Sequence, residues 1–177
     1  MRIRRARASD VEAIHLLISA QASAGQLLPR TAEEIRRAYS SFLVAVAHGH
    51  LSGCVALESY GGSLAEIRSL VVAEDARGTG LGSKLLRAAT KQAHNHGFSR
   101  LLAVTRSGEF FERHGFARVP AGMPAEKVAR DCARCPKAIG CQLIALTLDL
   151  SPATARRSAL PVFQPAGLER TPAPVPA

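Results

Sequence analysis

Arg77-Gly78-Thr79-Gly80-Leu81-Gly82 decides the fold, because its three glycines stand where a strand gives way to a helix. Ahead of them, Leu70-Val71-Val72-Ala73 is an apolar, partly β-branched run of the kind that fills strands. Behind them, Leu81, Leu85, Leu86, Ala89 and Ala93 fall on one helical face. Glycine accepts positive φ and lets main-chain N–H groups approach a ligand with no Cβ in the way. A helix N-terminus adds unpaired N–H groups and a partial positive charge, so phosphate is the natural guest. The stretch lacks the Gly-Lys-Ser/Thr ending of a P-loop, and its spacing is not the Gly-x-Gly-x-x-Gly of a dinucleotide fold.

Working outward, residues 2–8 alternate around Ile3 as a first strand. Ser9-Asp10-Val11-Glu12 reads as a capping box opening a helix with Val11, Ile14, Leu17 and Ile18 inward and Gly25 at its end. A second box, Thr31-Ala32-Glu33-Glu34, opens a short helix to about Tyr39. Arg30 precedes that helix, where a lone cation is electrostatically unwelcome, and is therefore a candidate for holding an anion. Residues 42–47 and 51–58, joined by His48-Gly49-His50, read as a hairpin. Gly61-Gly62-Ser63 turns the chain into a strand over 64–73 carrying Arg68 between apolar neighbours. Arginine is rarely buried alone, so Arg68 should face a carboxylate of the protein or of a substrate.

Beyond the glycine-rich stretch, Gly97 suits a helix C-terminus and 101–105 a strand. A short helix over 107–114 ends at Gly115, a strand covers 116–119, Pro120 and Pro124 bracket a loop, and 143–150 is a last strand. From 151 the composition turns to Pro, Ala and Arg. The expected organisation is one domain over 1–150 and a disordered tail over 151–177.

The chain of 177 residues is long enough for one domain with a real core. No apolar run approaches the roughly 20 residues a membrane span needs. The basic start, Met1-Arg2-Ile3-Arg4-Arg5, is followed by no signal-peptide apolar region, and a cytoplasmic protein is expected. A formal net charge of +9 points to a polyanionic partner. With 5% aromatic residues and no nucleic-acid-binding motif, a phosphate-bearing cofactor answers that charge better than nucleic acid. Cys132-x-x-Cys135 with Cys141 raises the question of zinc, but a structural site needs four ligands and no second Cys-x-x-Cys exists. No metal is expected.

Arg77-x-x-Gly80-x-Gly82, with its strand, its amphipathic helix and the later Gly115-Phe116, resembles the acyl-CoA pyrophosphate loop of the GNAT N-acetyltransferase superfamily. Leu27-Leu28-Pro29-Arg30, Glu66-Ile67-Arg68-Ser69-Leu70, the segment from Glu109 to Phe116 and that from Asp131 to Lys137 look like the short bacterial N-acetylglutamate synthases. The likeness covers about residues 3–150. It implies an α/β fold whose mixed, mostly antiparallel central sheet is splayed at the acyl-CoA site and flanked by helices. It implies acetyl-CoA as co-substrate and transfer to the α-amine of L-glutamate by direct attack in a ternary complex. Neither a nucleic-acid nor a membrane partner is implied, and a homodimer is one assembly open to it.

By the same resemblance, Leu70, Val71, Val72, Arg77, Gly78, Thr79, Gly80, Leu81, Gly82, Ser83 and Phe111 would contact the cofactor. The main-chain amides of Leu70 and Val72 would meet the thioester, stabilising the oxyanion. Arg30 and Arg68, with Lys137 from the last loop, would hold glutamate. Apart from the resemblance, Glu66 acting through water is the candidate to take the ammonium proton. Phe111 stands where many members carry a tyrosine that protonates the leaving thiolate, so the general acid has no assigned residue. A thiol with a pKa of about 8.5 leaves as thiolate near neutral pH without one. Two other functions remain open: acetylation of another small amine, as by the arsenic-resistance type, and a non-catalytic acyl-CoA-binding module.

Overall fold

The computed structural model describes residues 1–25, 27–120, 122–133, 135 and 141–151. Seven strands form an open sheet in the order β1-β2-β3-β4-β5-β7-β6. They are β1 (Arg2–Arg5), β2 (Phe42–Ala47), β3 (His50–Ser59), β4 (Leu64–Val72), β5 (Arg100–Thr105), β6 (Ala117–Arg118) and β7 (Ile144–Asp149). Only β4 and β5 run parallel, and the crossover between them is helix α3 (Leu81–Asn95). All other pairs are antiparallel, so the expected α/β architecture is the one observed.

Alternation along the strands divides the core between the two faces of the sheet. On one face Leu43, Ala45, Val55, Leu57, Ala65 and Ile67 pack against Leu81, Leu85, Leu86, Ala89 and Ala93 of α3. That is the apolar helical face visible in the sequence. On the other, Val44, Cys54, Ala56 and Val71 lie under α1 (Val11–Ser23) and α2 (Ala32–Ala38), meeting Val11, Ile14, Ile18 and Ile35. Further along the same face, Leu64, Leu102 and Ala145 form a small third cluster. The hairpin between β2 and β3 turns on His48 and Gly49, both at positive φ (49 and 82), as a two-residue turn matched to strand twist requires.

Three expectations change. The first strand ends at Arg5, and α1 is not opened by Ser9 and Glu12. Asp10 stands at the N-cap of α1 with no side-chain bond to the helix; its carboxylate closes the 3-10 turn Ala8–Asp10, accepting from the Arg7 amide at 2.6 Å and from the Arg4 guanidinium at 2.7 and 2.9 Å. Two donors, one of them charged, hold that turn, so Ser9 falls inside it rather than at the N-cap of the helix. The second box forms as expected, with Thr31 and Glu34 exchanging bonds at 3.1 and 2.7 Å. The third change follows Pro124, where no element was expected. After the short helix α4 (Glu109–Glu112) and β6, α5 (Ala125–Lys127) begins at Pro124 and runs on as a π-turn over Val128–Cys132. The expected tail, apart from Ser151, lies outside the described residues.

Candidate active site

The loop from β4 to α3 carries the first half of the site. Gly78 and Gly80 have φ of 75° and 77°, and Gly80 is the N-cap of α3. A Cβ on either would meet nothing within 4 Å, so the outer surface of the turn is open. The helical ladder begins with the Lys84 amide on the Gly80 carbonyl at 3.1 Å, which leaves the amides of Leu81, Gly82 and Ser83 ahead of it. The first turn holds no acidic side chain. Thr79 donates its hydroxyl to the Ala76 carbonyl at 2.7 Å, and Arg77 reaches Gln21 of α1 at 2.7 Å. Leu81 is a core side chain, 1% exposed, and offers the loop only its main chain. Open space over left-handed glycines, unpaired amides and no competing carboxylate fit a pyrophosphate.

The strand before the loop is the second half. β4 pairs with β5 only from Leu64 to Ile67; beyond Ile67 and Ala103 the two strands part. On its other edge β4 bulges against β3, with Ser69 and Leu70 opposite Val55 alone and Ser69 at φ 49°. The Ala73 amide donates to Ser52 of β3 at 2.9 Å. By antiparallel alternation the preceding Val72 amide therefore points away from β3, into the gap left by β5. Val71 turns the other way, its side chain 3% exposed beneath α1.

Arg30 precedes α2 and lies over Phe42, in the core on the α1–α2 face of the sheet. Its Nη1 is buried with no hydrogen-bond partner among the described residues, and its guanidinium carbon stands 5.6 Å from the Phe42 ring centroid. Its charge is felt at Cys54, whose thiol bonds the Ser69 carbonyl of the bulge at 3.5 Å. Burial pushes that thiol up to about 12, against the pull of Arg30. Arg30 and Arg68 both act on Glu34, whose carboxyl is held low first by the Thr31 amide. The charges of both arginines thus reach Glu34.

Arg68 differs from Arg30 in being answered by the protein itself. It contacts Glu58 at 2.9 Å, and Glu66 and Asp131 at 3.5 Å each. Burial depresses its basicity, but the charges of Glu66, Glu58 and Asp131 more than restore it. Glu66 is 3% exposed and fully engaged: Lys127 holds both its oxygens, at 3.0 and 2.9 Å, and the Tyr60 hydroxyl donates to it. Such a carboxylate does not meet an acceptor directly. Lys137 lies outside the described residues.

Phe111 belongs to the core rather than the cleft. It is 9% exposed, edge-on to Phe110 and Phe116 with ring centroids 5.3 Å away. The ring beside the glycine-rich turn is that of Phe110, 3.6 Å from where a Cβ on Gly82 would sit. Cys132, Cys135 and Cys141 are free thiols, and no group of His, Cys, Asp or Glu suited to a metal occurs among the described residues. Sequence reasoning missed Lys127 and Tyr60. The spacing of Lys127 and Asp131, i and i+4 after Pro124, was a helix signal that could have exposed the first. Nothing set Tyr60 apart from an ordinary turn flank.

Comparison with known proteins agrees with this geometry. Residues 11–116 match the model of the Acetyltransferase (GNAT) family. An uncharacterised N-acetyltransferase of Chlorobaculum tepidum is 34% identical over 148 residues, covering 84% of this chain and 96% of its own. An amino-acid acetyltransferase of Neisseria meningitidis is 35% identical over 116 residues, but the match covers only 27% of that longer protein. Among solved structures, the N-acetylglutamate synthase of Neisseria gonorrhoeae complexed with coenzyme A and N-acetyl-glutamate superposes with a TM-score of 0.75 at 29% identity. That match takes in 85% of this chain and 35% of the other. A Mycobacterium tuberculosis protein solved with CoA gives 0.73 at 28% identity, over 85% of this chain and all of its own. With the splayed strand, the glycine-rich turn and the family match in agreement, the chain belongs to the GNAT acetyltransferase family and is an acetyl-CoA-dependent N-acetyltransferase.

Proposed function

We propose that this enzyme moves the acetyl group of acetyl-CoA to the α-amine of L-glutamate, giving N-acetylglutamate and CoA. The observation that carries the proposal is Arg30, a guanidinium with a buried, unanswered nitrogen over Phe42, on the sheet face that carries Cys54, whose thiol bonds the bulge. A buried donor left unpaired costs about 1–3 kcal/mol, more when charged, and a substrate carboxylate returns that cost on binding. The similarity to N-acetylglutamate synthase, which spans about a third of that protein's length, supports the same acceptor.

In this reading the amides of Gly78 to Ser83 take the pyrophosphate and the open edge of β4 takes the pantetheine arm. The Val72 amide, with Leu70 beside it, answers the oxyanion that develops as the amine attacks. Acetyl-CoA supplies the electrophilic thioester. Arg30 orients the amino acid through its carboxylate in a planar, two-point contact that lysine cannot reproduce.

The pairing of Arg68 within the protein favours a second acceptor, an amino acid with one carboxylate. A single unpaired arginine anchors one carboxylate, and among the described residues the side-chain carboxylate of glutamate then lacks a dedicated cation. A thiol-release assay with L-glutamate, L-glutamine, L-aspartate and non-amino-acid amines at saturating acetyl-CoA decides among these. Preference for glutamate sustains the proposal and preference for glutamine the second acceptor. Arg30→Lys should cut kcat/KM for the amino acid by roughly 30-fold or more, as for a charged pair worth about 2–5 kcal/mol, with acetyl-CoA affinity unchanged. Loss of acetyl-CoA binding instead would move Arg30 to the cofactor and end the reading.

A further inference from the structure

Three thiols gather where the α5 segment ends. Cys132 closes the π-turn, Cys135 follows three residues on, and both Cys135 and Cys141 stand close enough for their charge to act on Cys132. All three are free, Cys132 and Cys135 half-buried and Cys141 exposed. None belongs to a core cluster, and no group suited to a metal occurs among the described residues. The acetyl transfer described above makes no use of them.

The main chain joins two of them in one turn. The Cys135 amide donates to the Cys132 carbonyl at 3.0 Å, closing a four-residue turn. A turn of this kind keeps its first and last Cα atoms within about 7 Å, and a disulfide spans Cα atoms about 4.4–6.8 Å apart. The backbone is therefore already bent for a bond between these two sulfurs, and rotation about the side-chain bonds is what remains. Among the described residues, no main-chain bond ties Cys141 to either of them.

We propose that Cys132 and Cys135 form a site of reversible oxidation, bridged by exchange with a small disulfide of the glutathione class, and that the bridge pins the turn ending the α5 segment. The thiolate of one cysteine attacks a sulfur of the small disulfide, forming a mixed disulfide and expelling one small thiolate. The thiolate of the other then attacks the protein sulfur of that mixed disulfide, forming the Cys132–Cys135 bond and expelling the second. Two electrons pass from the pair to the small disulfide. It leaves as two thiols, which carry the two cysteine protons.

Position gives the bond its consequence. Asp131, one residue before Cys132, accepts from Lys127 at 2.8 Å and from Tyr60 at 2.7 Å, and lies 3.5 Å from Arg68 of β4. The Ala133 amide, one residue after, donates to the Val128 carbonyl at 3.0 Å and ends the π-turn. Cys132 thus links the ion pairs that hold the segment to the sheet with the turn beyond them. A bridge to Cys135 removes open conformations of that turn without moving the folded one, so the turn should open less often. Burial holds the Cys132 thiol above its ordinary range, with Asp131 and the other two thiols adding to that and Lys127 pulling against it. A thiol that resists ionisation is a poor leaving group, so the bridge should resist small thiols and yield to a dithiol.

The test takes the full chain, reduced and freed of reductant, and treats it with oxidised glutathione. The intact mass should fall by two hydrogens, and of the three accessible thiols only Cys141 should still alkylate. Trypsin, cutting after Arg130, Arg134 and Lys137, should then release 131–134 and 135–137 as one linked species that a dithiol separates. Three thiols still free, or a bridge to Cys141, overturns the site. Cys135→Ser should stop at the mixed disulfide, gaining glutathione and no internal bond, and an internal bond in that variant overturns the pairing. Hydrogen exchange reads the pin. The Ala133 amide should exchange more slowly in the bridged protein than in the reduced one, and glutathione treatment of Cys135→Ser should not slow it. Equal or faster exchange in the bridged protein overturns the pinning.

Discussion

Lys127→Met probes the buried charge that holds the α5 segment onto the sheet. Lys127 is 8% exposed and makes its three contacts within 3.0 Å, two of them to a carboxylate that is itself 3% exposed. Methionine keeps the length and apolar stem but strands Glu66. Breaking a buried ion pair from one side costs about 3–5 kcal/mol. Arg68 remains 3.5 Å from Glu66 and Tyr60 still donates to it, which puts the expectation at the lower end, about 3 kcal/mol. A domain of this size has roughly 5–15 kcal/mol in hand, so the variant should fold with a much reduced margin. At a urea m-value of about 2 kcal/mol/M, the midpoint should drop by about 1.5 M with the slope unchanged. The double variant Lys127→Met with Glu66→Gln removes the stranded charge and should recover most of the loss. A single-variant shift under about 0.3 M, or a double variant worse than the sum of its parts, would refute the reasoning.

Gly80→Val should weaken CoA binding in an equilibrium titration and destabilise the fold by about 1–2 kcal/mol, because φ is 77° there. A folded variant with unchanged CoA affinity would remove the loop from the cofactor site. A thiol reagent should find Cys132, Cys135 and Cys141 in the native protein and Cys54 only after unfolding, since Cys54 is fully buried and its thiol is pushed up to about 12. Fast native labelling at Cys54 would mean that α1 opens readily. Asp10 and Asp131 have folded pKa values held below those of the unfolded chain, so their stabilisation is complete above the ordinary carboxylate range and is lost as pH falls below it. Urea stability should therefore decline on acidification from about pH 5, and Asp10→Asn should flatten part of that decline.

Much of the fold was legible because it is local. The α3 stripe, the His48-Gly49 turn, the Thr31 cap and the glycine-rich loop each declare themselves within a few residues, through helical spacing or positive φ. What failed was decided by pairings outside those patterns. Ser9 and Glu12 satisfy the capping pattern, but Arg4 of β1 and the Arg7 amide draw Asp10 into a 3-10 turn ahead of the helix, which that pattern does not weigh. Arg68 was correctly expected to face a carboxylate. Whether the carboxylate came from protein or substrate depended on Asp131, distant in sequence, folding back over β4. Phe110 and Phe111 are chemically alike, and only the orientation of α4 sends one to the loop and the other to the core.

Gly53 carries a consequence for how the cofactor site is kept in shape. A Cβ there would come within 2.9 Å of both the Val71 carbonyl and Leu85 Cδ1, and within 3.5 Å of Leu81. The missing methyl group is what lets the first turns of α3 settle onto the bulged strand. Loop and strand, the two halves that a CoA molecule would have to span, are therefore keyed together from behind, at a residue no ligand touches. Their spacing is fixed before any ligand arrives. Adding one carbon at position 53 would force that spacing wider, and the enzyme would register it in CoA binding as well as in stability.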